Sequence, residues 1–371
     1  MKPRKAVLLI VILLLAAFLV HRLTRPLLFF EVTDAFERPM SVVMPKGLES
    51  QSSAECAVCH DEIAAEWETT IHANAWKDPY FQVDFVYDGS LQVCLNCHTP
   101  LENQQENLVI GFNDSDKLDP IFKPNPNFSA ELRDEGVTCV VCHVVDGVIE
   151  GPFGAQTDAH PTRKDERFTD GSGVCKKCHW VTGDRWDMFL KLPPCGNFAE
   201  IEEAGKKPNC TKCHMPKVTR PAAIGGPERE VGRHLFRGGH DAKMVKSAIK
   251  IVLKNESVPG QRMKRFKLSL TNTGAAHRLP TGTPDRHLEI TFKLLDAGGN
   301  VIRSEEHILQ RTILWRPFII DLWDTRIKSG ETTDLTFSFG SKPGDGAAFV
   351  EARVRYGLLH EKRRKLIGYE N

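Results

Sequence analysis

Five times in this chain a pair of cysteines separated by two residues is followed at once by a histidine: Cys56-Ala-Val-Cys59-His60, Cys94-Leu-Asn-Cys97-His98, Cys139-Val-Val-Cys142-His143, Cys175-Lys-Lys-Cys178-His179 and Cys210-Thr-Lys-Cys213-His214. This is the spacing of haem c attachment. The two thiols add to the two vinyl groups of one porphyrin, and the histidine lies under the iron as its proximal ligand. A lone pair would read equally as a redox dithiol or as half of a zinc site. Here every pair carries its histidine, in a chain with 14 histidines among 371 residues. The separations between pairs are also too long and irregular for a zinc array. The expected cofactors are five haem c groups with their irons.

Each iron has a sixth position, and nine histidines lie outside the motifs. Five occupy settings that suit a distal ligand. His72 stands twelve residues after His60 in Thr-Thr-Ile-His-Ala, and His160 stands in Asp-Ala-His-Pro between the third and fourth motifs. His234 and His240 bracket Leu-Phe-Arg-Gly-Gly, whose glycines let the backbone approach a flat macrocycle closely. His277 lies in Asn272-Thr-Gly-Ala-Ala-His277-Arg-Leu-Pro-Thr-Gly282, a loop between two predicted strands. His287, His307 and His360 lie in or beside strand-like segments and read as packing residues. Five such distal ligands would give every iron bis-histidine ligation, which leaves no position for substrate. The odd thiol, Cys195, reads as a small buried hydrophobe.

The elements that position these groups are sparse. Cys56 to His240 spans 185 residues, 37 per motif, and is rich in Gly, Pro, Asn and Asp. So little polypeptide per cofactor predicts that the haems themselves form the core, stacked or edge-on in near contact. Apolar residues at helical spacing predict a helix over Asp61–His72. A second is predicted over Asp241–Ser247, with Asp241 as its cap. The Asn-, Asp- and Pro-rich stretch from Gln104 to Phe128 reads as a surface loop. From Ala248 the pattern changes to strand-length apolar runs: Ala248–Leu253, Phe266–Asn272, Leu288–Leu295, Val301–Leu309, Thr332–Phe339 and Phe349–Tyr356. Turn residues separate them, as in Ala297-Gly-Gly-Asn300 and Lys342-Pro-Gly-Asp-Gly346. This pattern predicts an antiparallel sandwich, ending in a solvated charged tail at Glu361–Lys365.

At the other end Lys2, Arg4 and Lys5 precede an unbroken apolar run from Ala6 to Val20. A spanning helix needs about 20 apolar residues, so the run suffices only if His21 and Arg22 snorkel and Leu27–Phe30 contribute. Small residues before a cleavage site are lacking, because Ala16 and Ala17 are followed by Phe18, Leu19 and Val20. The segment therefore reads as an uncleaved anchor, with the remainder on the non-cytoplasmic face. The formal net charge of +1 gives no reason to expect nucleic acid.

The chain resembles the multihaem cytochromes of the cytochrome c-554 type. The resemblance lies in Cys56-Ala-Val-Cys59-His60 followed by Trp67 and Thr70-Ile-His72-Ala, in Gly136-Val-Thr-Cys139-Val-Val-Cys142-His143, and in Cys210-Thr-Lys-Cys213-His214-Met-Pro. His234-Leu-Phe-Arg-Gly-Gly-His240-Asp and the His277 loop look like elements of larger multihaem cytochromes that end in a β-sandwich. Covering roughly residues 50 to 300, the resemblance implies distal ligands at His72, His234, His240 and His277 and a role in periplasmic electron relay. Proteins of the c-554 type proper carry four haems and no sandwich, and some relatives use an open iron for nitrogen-oxide chemistry. No Cys-x-x-Cys-Lys motif is present, which argues against the nitrite-reducing kind of catalytic haem.

The expected fold is thus α+β and multidomain. An N-terminal membrane helix (1–30) and a tether (31–50) precede an irregular, mainly helical and loop pentahaem domain (51–244) and an antiparallel β-sandwich (245–371). The expected role is electron transfer to redox partner proteins or from membrane quinol, anchored at the inner membrane and facing the periplasm. Two other readings stay open: an oxidoreductase acting on a small nitrogen or sulfur compound at one open iron, and a subunit whose sandwich docks a larger complex.

Overall fold

The computed structural model describes residues 3–24, 38–113, 119–180, 196–314, 320–340 and 346–369. Cys195, Leu27–Phe30 and the first part of the expected tether, 31–37, lie outside them. Two compact units emerge: Met1–Pro193 with Asn209–Phe236 and Ile313–Leu322, and Pro194–Pro208 with Arg237–Thr312 and Trp323–Asn371.

The first unit begins with a helix over Pro3–Thr24. Among the described residues no helix is long and apolar enough to cross a membrane. The unbroken run Ala6–Val20 rises only about 22 Å against a hydrocarbon layer of about 30 Å. Beyond residue 38 the unit is built of short helices and three small sheets. The helix over Asp61–Glu68 is shorter than the expected Asp61–His72. Thr69 and Thr70 turn their hydroxyls back onto the carbonyls of Glu66 and Trp67 at 2.7 Å, an alternative to the helical ladder that ends it. The stretch read as a loop holds a hairpin instead, β1 (Asn107–Phe112) with β2 (Pro120–Pro124), antiparallel with Val109 opposite Phe122. Short apolar runs inside an Asn- and Pro-rich segment were enough to pair. Strands β3 (Val144–Val145), β4 (Val148–Gly151) and β5 (Thr162–Lys164) form a second sheet, and β6 (Lys217–Pro221) with β7 (Glu228–Gly232) a third. The apolar cluster of this unit is small: Leu101, Leu132, Val140, Val141 and Val144, with Met40, Val42 and Met44 laid against it.

The second unit has a conventional core. One sheet runs in the order β13 (Thr332–Gly340), β9 (Met263–Asn272), β8 (Ile249–Asn255). The other runs β12 (Ile320–Asp324), β11 (Val301–Leu314), β10 (His287–Asp296), β14 (Ala347–Gly357). β10 pairs antiparallel with β11 and β14, and β9 with β13 and β8. Along β10 every second residue, Leu288, Ile290, Phe292 and Leu294, is buried, the period-two pattern of a half-covered strand. Those side chains meet Leu268 and Leu270 of β9 and Phe337 and Phe339 of β13. Phe292 and Phe337, from opposite sheets, stack at 5.3 Å, so the two sheets share one interior as a sandwich does. The six expected strands are present within a few residues. β12 is additional. Helix Ala242–Ala248 is capped by Asp241, whose carboxylate accepts from the Met244 N–H at 2.7 Å. The tail residues Glu361, Lys362 and Lys365 are exposed, as a solvated charged end requires, but the segment is helical over Glu361–Ile367 and ends on a buried Ile367.

His287 and His360 stack face to face in this unit, with ring centroids 3.6 Å apart. Burial, then the neighbouring His287, pushes His360 down from 6.5 to about 4. The folded value lies below the unfolded one, so on acidification the unfolded chain takes up this proton first. Stability is expected to fall as pH drops from about 6.5 towards 4, and His360→Phe is expected to flatten that part of the curve. Denaturant unfolding of both proteins across this range checks it.

Candidate functional site

A helical turn places residues i, i+3 and i+4 on one face, which is the spacing of the two sulfurs and the imidazole in each motif. The second to fifth motifs each close a helix with their histidine: Gln92–His98, Cys139–His143, Ser172–His179 and Cys210–His214. In the first, Cys56 lies in helix Ser53–Ala57 and His60 is the residue before helix Asp61–Glu68. All ten motif cysteines carry thiols, which here stand in for the thioether sulfurs. They approach one another across motifs. Cys56 shares a side-chain hydrogen bond with Cys139, Cys175 with Cys210, and Cys97 with Cys178, while Cys142 neighbours Cys178.

The imidazoles are oriented by backbone carbonyls. Nδ1 of His60 lies 2.6 Å from Ala222 O, that of His98 2.7 Å from Ala75 O and that of His143 2.7 Å from Glu150 O. A carbonyl can only accept, so Nδ1 carries the proton and Nε2 is left with its lone pair, as metal ligation demands. Aromatic rings back two of them. Phe81 stacks on His98 at 3.6 Å and Phe168 on His143 at 4.9 Å.

Three of the five candidate distal histidines lie in the same unit as the motifs, each beside a motif histidine. His72 faces His179 with centroids 6.3 Å apart, and His234 faces His143 at 6.2 Å. A metal–imidazole bond is about 2 Å and a ring nitrogen sits about 1 Å from its centroid, so two imidazoles sharing one metal have centroids about 6 Å apart. Both pairs match. His160 neighbours His60 electrostatically. Burial, then His179, pushes His72 down to about 4; burial, then His143, does the same to His234. Both rings are thus held in the neutral form that binds metal. His234 Nδ1 lies 2.9 Å from Gly232 O, which frees Nε2 once more. The other two candidates belong to the second unit. His240 Nε2 lies 3.4 Å from Arg286 Nη2, and His277 Nδ1 2.9 Å from the Arg278 carbonyl. The loop after His277 is held by a buried ion pair of its own unit, since Glu200 accepts from the Arg278 N–H and pairs with Arg326 at 2.5 Å.

Two buried carboxylates support the His143/His234 pair. Glu66 takes two hydrogen bonds from Arg220, one from Arg233 at 2.6 Å, and the backbone N–H of His234 at 2.9 Å. Burial alone would raise its pKa, but these donors more than offset that and hold Glu66 below the usual range. Glu150, whose carbonyl orients His143, is ion-paired with Arg163 and Arg167. Neither carboxylate was visible as a site residue in the sequence: the partners of Glu66 lie 154 to 168 positions away, and those of Glu150, though within 17 positions, form no pattern that marks it.

Residues 55–144, which hold the first three motifs, match the family described as cytochrome c554 and c-prime. Among solved structures the chain is similar to a penta-haem cytochrome c552 from Thermochromatium tepidum. The identity is 21% and the TM-score 0.65, over 86% of this chain and 94% of that one. No curated protein matches the chain in sequence.

Glu66→Ala leaves Arg220 buried without its main partner, and removing one member of such a pair costs about 3–5 kcal/mol. Denaturant unfolding is expected to show a loss of that size, and Glu66→Ala with Arg220→Met is expected to recover part of it.

Proposed function

We propose that the chain is a multihaem c-type cytochrome that serves electron transfer, a relay of five covalently bound haems, most of them with two axial histidines. The observation that carries this reading is the two facing imidazole pairs, His72/His179 at 6.3 Å and His143/His234 at 6.2 Å. An iron held by two imidazoles supplies one-electron transfer and offers substrate no vacant position. Five motifs and the likeness to a penta-haem protein support the count of five.

The sulfur contacts support an order. The first motif neighbours the third, the third the fourth, and the fourth also neighbours the second and the fifth. The fourth motif is then the branch point of the chain of cofactors. Buried side chains around these histidines, Phe81 beside His98 and Glu66 and Glu150 beside the His143/His234 pair, keep water from the imidazoles, while backbone carbonyls fix the tautomers.

The anchor belongs to the same proposal. Helix Pro3–Thr24 turns its apolar side chains outward, Leu14 among them at 65% exposure, behind Arg4 and Lys5. Such an apolar surface suits lipid. The body then lies on the periplasmic face, exchanging electrons with membrane quinol or with a redox protein.

Low-temperature electron paramagnetic resonance of the oxidised protein, with pyridine haemochrome and iron content measured on the same membrane-derived sample, tests the proposal. Five haems per chain, all low-spin and purified from the membrane fraction, are expected. A stoichiometric high-spin iron that binds carbon monoxide when reduced would replace the relay with an enzyme. Protein found only in the soluble fraction would remove the anchor.

A further inference from the structure

Among the described residues, the ring of Phe236 touches the candidate distal histidines of both facing pairs. Its centroid lies 4.7 Å from that of His72 at 62° and 5.6 Å from that of His234 at 88°. Both contacts are edge-on and within the range in which aromatic rings attract through their quadrupoles. The backbone is unusual at the same residue, for Phe236 has φ 43°. A bulky residue rarely enters the left-handed region, and one that does is held there by its surroundings, most often at a functional site. The surroundings here are identifiable. Two residues earlier Glu66 grips the His234 N–H at 2.9 Å, and it also pairs with Arg233 and Arg220. The segment from Gly232 to Phe236 is thereby clamped, and its last ring is driven between two imidazoles that face different motif histidines.

The two pairs differ in ring angle. His72 and His179 are inclined at 64°, His143 and His234 at 33°. Ligand-plane angle governs the anisotropy of a low-spin ferric iron. Steeply crossed imidazoles give a strongly anisotropic resonance, and more nearly parallel ones a rhombic spectrum. A residue that fixes the rotation of one ring in each pair therefore sets two electronic environments together.

We propose that Phe236 is a positioning residue for two axial imidazoles at once, holding His72 at a steep angle to His179 and His234 at a shallow angle to His143. It fills the space between the third and fourth sites and couples their ligand geometries. This rests on the axial pairing proposed above, and the wild-type spectrum tests that pairing first. Two low-spin classes, one strongly anisotropic and one rhombic, are expected, and their absence overturns the pairing itself. With both classes present, Phe236→Leu keeps apolar volume but removes the flat ring. Both resonances are expected to shift together at unchanged haem content. Phe236→Tyr, which keeps the ring, is expected to leave both in place. Should Phe236→Leu fail to accumulate, Phe236→Met carries the same expectation. A ring-less variant in which neither resonance or only one moves, or a tyrosine variant that shifts as the leucine one does, would refute the role of Phe236 while leaving the axial pairs standing.

Discussion

Everything in the first unit depends on the fact that one helical turn delivers two sulfurs and an imidazole to the same face. With that arrangement a few residues fix a large rigid cofactor, and long amphipathic helices become unnecessary. The motif helices are accordingly minimal: Cys139–His143 and Cys210–His214 have five residues each. Isolated helices of that length are unstable in water, so their stability must come from what they are attached to. The apolar cluster beside them, five buried residues around Leu101 and Val140, is smaller than the ten-residue core of the sandwich. On the proposed reading, the cofactors take in this unit the place that Leu, Ile and Phe occupy in the other.

A core made of cofactors places its own demands on polar groups. Imidazoles buried beside one another are tolerable only when neutral and only when Nδ1 finds an acceptor. The chain meets this with backbone carbonyls at Ala75, Glu150, Ala222 and Gly232. Two of these belong to the β6–β7 hairpin, Ala222 in its connection and Gly232 at the end of β7, so one hairpin serves both His60 and His234. Glu66, in the helix after the first motif, fastens that hairpin through Arg220 and also accepts the His234 N–H, beside the third motif's histidine.

The parts legible in the sequence were those written locally. The helical turns of the Cys-x-x-Cys-His motifs, the Asp241 cap and the alternation along β10 depend on neighbours a few positions apart, and each is local in the structure too. The hairpin β1–β2 was hidden because Val109 and Phe122 pair across an Asn- and Pro-rich stretch. The terminal helix was hidden because its charged residues mask the single anchoring side chain, Ile367. The facing of His72 with His179 and of His234 with His143 joins positions about a hundred apart, and no local pattern encodes such a pairing. Glu66 and Phe236 are of this kind too: each looks ordinary in its own neighbourhood, and each acquires its role from residues that folding brings to it.

Backbone hydrogen exchange, compared between the mature protein and the same chain produced without haem attachment, tests most directly whether the cofactors are the core. Loss of protection throughout residues 53–232 with protection retained in β8–β14 is the predicted result. Equal protection of both regions in the unattached chain would mean that the peptide alone builds the first unit, and would contradict a fold organised by its haems.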